Sequence, residues 1–185
     1  MTEKGSAGPD WPRIADPDPA TATEAQRQVL ADLIARRGRV PTPYRIWLHA
    51  PALAQGMEAL GTPLHAPSAL TPAAQELVVF LTVVHWNAPY PIGHHIGHAR
   101  AAGFPERAVQ AILNREPPVF DDPHLAAVAG LTRVALAGGH IDDAGFDGYV
   151  ATLGRTAIAE IVALVGYYTS VAIALTLHGS GGAAP

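Results

Sequence analysis

The sequence predicts an all-α, single-domain protein. Apolar residues recur at the three-to-four-residue spacing of a helix face, and no alternating run of useful length suggests a strand. Helix-start signals punctuate the chain at Thr23, Thr71–Pro72, Asp122–Pro123 and Asp142. With 185 residues and 49% hydrophobic content, the chain is long and apolar enough for one buried core.

The elements follow in order. Residues 1–20 hold Pro12, Pro17 and Pro19 among aspartates, and proline restricts both itself and its predecessor, so a flexible arm is expected there. Thr23 followed by Glu24 and Gln26 opens an amphipathic helix with Val29, Leu30, Leu33 and Ile34 on one face, closed by Gly38. After the Pro41–Pro43 break, Pro51 suits a first helical position, with a helix running to about Leu60. Thr71–Pro72 leads into an apolar helix over 73–84, and further helices are expected over 91–102 and from Pro105, with Gly103 between them. Asp122–Pro123 and Asp142 start two more, separated by Gly138–Gly139. A last long helix is expected over 155–178, making a helical domain over 21–178 with a flexible tail over 179–185.

Composition excludes several functions. There is no cysteine, hence no disulfide, zinc–thiolate site or thiol catalysis. Lys and Arg number 12 against 16 Asp and Glu, and the basic residues are scattered, which argues against nucleic acid as a partner. The N-terminus lacks the apolar core of a secretory signal, so a cytoplasmic location is expected. Residues 156–177 approach the length of a membrane span, but Glu160 lies within them and no basic cluster flanks them. Burial at the centre of a bundle or an oligomer is the expectation for that helix, with no membrane contact.

Chemistry concentrates in residues 85–98, HWNAPYPIGHHIGH, which hold four of the nine histidines together with Trp86 and Tyr90. Histidine titrates nearest neutrality, so such a cluster beside apolar groups suits proton transfer. His94 and His98 fall nearly on one helical face, with His95 to one side. Glu76, in the preceding apolar helix, is the only acid between Glu58 and Glu106, and a carboxylate there is costly unless paired with a histidine across the helix pair. His85, nine residues from Glu76, falls on the opposite helical face and is expected to pack behind the site.

Several segments together resemble the carboxymuconolactone decarboxylase family of the alkylhydroperoxidase D-like superfamily. They are Glu76-Leu-Val-Val-Phe-Leu, Trp86-Asn-Ala-Pro-Tyr90 and His94-His95 with Ala99-Arg-Ala-Ala-Gly103, flanked by RIWLHAPALA (45–54) and LVGYYTSVAIAL (164–175). The resemblance spans roughly residues 44–177 and implies an alkylhydroperoxidase D-like helical bundle assembled as a homotrimer or homohexamer. It also implies a site built on a glutamate of one helix and a histidine of the next, here Glu76 and His95. Two departures stand out. Ala88 and Pro91 occupy the places of the Cys-x-x-Cys pair of the peroxidase branch, which excludes thiol-based peroxide reduction. Tyr90-Pro91-Ile92 stands where the decarboxylase-like branch often has Tyr-Glu-Trp, so the substrate is expected to differ.

The resulting expectation is a cofactor-independent lyase or isomerase that moves a proton on a small cyclic oxygenated acid or lactone. His95 and Glu76 are the catalytic pair, and His94, His98, Tyr90, Trp86, Arg45 and His49 are candidates to bind the substrate. Two alternatives stay open: a non-catalytic small-molecule-binding or oligomeric scaffold, and a metal-dependent enzyme using the i,i+4 pair His94 and His98. Glu160 is expected to act as a buried polar tie at a subunit contact, without a catalytic role.

Overall fold

The computed structural model describes residue 18, residues 20–66 and residues 68–179, so nearly all of the expected arm over 1–20 and tail over 179–185 lie outside the described residues. Eight helices and no strand occur among the described residues, which makes the protein all-α as the periodicity predicts. The first, α1 (Glu24–Arg37), opens with a complete capping box. The Thr23 side chain accepts from the Gln26 N–H and the Gln26 side chain accepts from the Thr23 N–H, satisfying two orphan donors. Gly38 closes it in the left-handed region, φ 70°, which glycine enters without a Cβ penalty.

A short α2 (Tyr44–Trp47) precedes α3 (Pro51–Leu64), which runs four residues past the expected Leu60. Next come α4 (Pro72–His85), with Thr71 capping the Ala74 N–H, and α5 (Pro89–Ala101), which starts two residues ahead of expectation because Pro89 takes the first helical position. The remainder is α6 (Glu106–Leu113), α7 (Pro123–Leu136) and α8 (Asp143–His178). Gly154 interrupts α8 with φ 76° and ψ 158°, so its second stretch begins at Arg155, where the sequence places the start of the last helix.

Helix α4 is the hub, packed by α5, α6, α7 and α8. Every residue from Leu77 to Val84 is buried. Large apolar side chains in such positions each stabilise the fold by roughly 1.5–3 kcal/mol relative to exposure. Thr82, fully buried among them, donates its hydroxyl to the Val78 carbonyl and so leaves no polar atom unmet. A second, smaller apolar cluster of Val29, Leu33, Tyr44, Leu48 and Ala54 joins α1, α2 and α3 into a side layer. That layer reaches the main core where α3 packs on α8.

Helix α8 is long and apolar enough to cross a membrane. Within the domain, the face carrying Ala157, Ile161, Leu164, Tyr167, Val171 and Leu175 is buried against the core. Val162, Ile173 and Leu177 are exposed on the other side.

Candidate active site

The α4–α5 turn sets the site. Asn87 takes a left-handed conformation, φ 49°, which asparagine tolerates better than most residues, and the chain reverses so that α5 packs back along α4. This brings Glu76 to His95. Nδ1 of His95 lies 2.8 Å from Oε1 and 3.1 Å from Oε2 of Glu76, and both side chains are largely buried. A carboxylate offers only acceptors, so Nδ1 carries the proton it shares, and the Nε2 of a neutral His95 is left as an acceptor.

The rest of α5 follows from helical geometry. At about 100° per residue, Tyr90, His94, His98 and His95 succeed one another around the helix, with His95 nearest α4. The Tyr90 and His94 rings accordingly meet edge to face at 4.8 Å. His98, between His94 and His95, has Nδ1 3.7 Å from Glu76 Oε2, beyond hydrogen-bond reach.

These residues form one wall of a cavity of about 400 Å³. Tyr90, His94, His95 and His98 line it from α5, and Arg37 and Arg39 line it from the end of α1. Arg39 is exposed and makes no ion pair among the described residues, so a cationic fork stands free at the cavity.

The lining continues onto His65, at the end of α3, and onto α8. His65 Nδ1 lies 2.6 Å from the Gly61 carbonyl oxygen and therefore carries a proton, which leaves Nε2 of a neutral ring to accept the Tyr168 hydroxyl at 3.0 Å. The Tyr168 ring stands 6.1 Å from that of His95. Burial, with Tyr167 and Glu76 adding to it, pushes the Tyr168 phenol well above its usual range, so it remains a proton donor at neutral pH.

Behind this wall is a second carboxylate, Glu58. Arg37 Nε donates to both of its oxygens at 3.1 and 2.9 Å, Tyr44 donates at 2.6 Å and Thr62 at 3.3 Å. Burial alone would push the Glu58 carboxyl up, but the hydrogen bonds from Arg37 and Tyr44 and the Arg37 charge outweigh it and hold it below the usual carboxylate range. The Tyr44 and Tyr167 hydroxyls lie 3.4 Å apart, and a Cβ on Gly61 would come within 2.6 Å of the Tyr167 hydroxyl oxygen. Only glycine fits there without displacing that ring.

Thus Glu76 meets His95 and His98, and the three histidines share their cavity wall with Tyr90, as the sequence suggests. Other expectations are corrected. Arg45 and His49 do not line the cavity. In the short helix α2 the buried Tyr44 is the residue turned inward, which rotates its neighbour Arg45 by about 100°, and Arg37 and Arg39 take the place expected of it. Trp86 also lies off the cavity, exposed, with Nε1 donating to Thr169 at 2.9 Å. His85 does not pack behind the site; it is exposed at the rim of a separate cavity with Arg115 and Arg133. Glu160 ties within the chain, accepting from the Ala69 and Leu70 N–H groups at 3.2 and 3.1 Å.

The i,i+4 pair of His94 and His98 is not where donors converge. Among the described residues, the histidine and carboxylate atoms that come together are those of Glu76, His95 and His98, all within 4.8 Å of one another.

The chain matches no protein-family model and no curated protein.

Sequence reasoning missed Arg37, Arg39, Glu58, His65, Tyr167 and Tyr168. Two signals were present. Glu58 shares the Ala54–Gly61 spacing of the buried stripe of α3, and Tyr167–Tyr168 are the only aromatics in the last apolar stretch.

Proposed function

We propose that the protein is a cofactor-independent lyase or isomerase of the carboxymuconolactone decarboxylase type, acting on a small cyclic oxygenated acid or lactone. The observation that carries this reading is the Glu76–His95 pair at the cavity beside Tyr168, whose ring stands edge to face with that of His95 at 6.1 Å. Glu76 holds the proton on Nδ1 and stabilises the imidazolium, so Nε2 serves as the base. In an isomerisation, Nε2 takes a proton from the carbon beside a conjugated carbonyl, the electron pair moves onto the carbonyl oxygen, and the Tyr168 hydroxyl turns from His65 Nε2 to donate to that oxygen. The imidazolium then returns the proton to the far carbon of the conjugated system. In a decarboxylation the electron pair of the breaking bond takes the same route as carbon dioxide leaves, and a protonated His95 supplies the proton to carbon. Until substrate binds, His65 accepts from the Tyr168 hydroxyl; Arg39, with His94 and His98, receives the substrate carboxylate.

The test is deuterium exchange from heavy water into a panel of butenolide carboxylic acids, followed by NMR. His95→Gln is expected to slow exchange by about 10²–10⁴-fold, the usual contribution of a positioned acid or base, with Glu76→Gln less severe. Exchange at the wild-type rate in a folded His95→Gln protein overturns the reading. A homotrimer or homohexamer in the cytoplasm is part of the same proposal, and Val162, Ile173 and Leu177 offer apolar surface for such an assembly.

A further inference from the structure

We propose that Glu76, His95 and His98 also form a binding site for a divalent transition-metal ion such as zinc. The ligand set, two imidazoles and a carboxylate, is one that zinc takes with a fourth position left to water or substrate. The geometry points the same way. Donors held at about 2.0–2.2 Å around a tetrahedral ion stand roughly 3.3–3.6 Å from one another. The His98 Nδ1 to Glu76 Oε2 separation of 3.7 Å is already close to that spacing, and it is too long for a hydrogen bond. The His95 contact at 2.8 Å needs only to open by a fraction of an ångström. The His95 and His98 rings stand edge to face with centroids 5.3 Å apart, and since the three donors are held only to within 4.8 Å, the exposed His98 side chain swings inward to complete the set. Among the described groups only this one gathers three such donors, and its carboxylate and one imidazole are largely shielded from water.

Occupancy has a chemical consequence for His95. An ion can bind Nδ1 only through its lone pair, so the proton there moves to Nε2 of the same ring, and binding to neutral histidines releases no net proton. His95 then has a donor where the free protein has an acceptor. On the proton-transfer reading above, on which this consequence rests, the metal switches off the base that faces the substrate.

The experiment uses zinc chloride alone on chelator-treated full-length protein, followed by calorimetry, with cobalt(II) absorption reporting the coordination number. One ion per chain is expected, with the spectrum of a four-coordinate site. His98→Ala and Glu76→Gln are each expected to weaken zinc binding about 100-fold or more, beyond the 10–100-fold typical of a group that only orients a ligand. His94→Ala, outside the set, is expected to bind as the wild type does. Nitrogen-15 NMR should show the His95 proton moving from Nδ1 to Nε2 as zinc is added. Wild-type protein that takes up no stoichiometric zinc overturns the site, and so does a folded His98→Ala protein that binds zinc as tightly as wild type. None of these readouts needs a substrate. Zinc binding without any proton exchange in the chelated protein therefore upholds the site and overturns the lyase or isomerase reading alone. Where exchange is present, zinc should suppress it and a chelator restore it.

Discussion

Glu58 and Glu76 are carboxylates on the inward faces of successive helices, α3 and α4, yet their surroundings differ in kind. Glu58 is matched by a permanent cation, Arg37, and by hydroxyl donors from Tyr44 and Thr62, which leaves its charge fixed and its lone pairs occupied. Glu76 is met by imidazoles, one bonded and one 3.7 Å away, which can gain or lose a proton or yield to a metal. A fully satisfied carboxylate holds helices together, whereas one with titratable partners beside a cavity is free to take part in chemistry. Replacing partners in the two networks should therefore affect different observables.

The largest effect on stability is expected from Arg37→Leu. Removing the cation strands a buried carboxylate, at a cost of about 2–3 kcal/mol once the partial exposure of Arg37 is allowed for. In a chain of this size that lowers Tm by roughly 5–10 °C in calorimetry. A Tm within a degree of wild type would show that the Glu58 network does not carry the side layer. Next comes Gly61→Ala, whose added methyl displaces the Tyr167 ring for about 1–2 kcal/mol, read as a shift in the urea midpoint.

Acid should probe the Glu58 network more finely. A carboxyl held below its ordinary value of 4.5 stabilises the fold fully above that pH, and its contribution is lost as pH falls through the lowered value. Denaturation midpoints of the wild type should thus drop below about pH 4.5, and Glu58→Gln should flatten that slope. The smallest effect belongs to Glu76→Gln. Its amide oxygen still accepts from His95, so stability should change by less than about 1 kcal/mol even as exchange activity falls.

The sequence made the α4–α5 hairpin legible because its signals are local. Thr71–Pro72 caps and starts α4, and an isolated carboxylate in an apolar helix implies a partner on the helix that follows. The Glu58 network was hidden for the opposite reason. Its members come from α1, α2, α3 and α8, and Tyr44 meets Tyr167 across 123 residues of chain. Nothing in the spacing of either tyrosine records that the side layer crosses α8 there. Arg45 lies off the cavity on an equally small point, since in a four-residue helix one inward tyrosine decides where its neighbour projects.

The segment between α3 and α4 is fastened to α8 at two points, His65 on Tyr168 and the Ala69 and Leu70 amides on Glu160. Those attachments are eight residues apart on α8, or about 12 Å along its axis. Since Thr71 follows immediately and starts the helix that carries Glu76, Glu160 anchors the entry to α4 about two helical turns along α8 from Tyr168. A change at Glu160 would therefore loosen the start of the helix that carries Glu76 while leaving every side chain that lines the cavity unaltered.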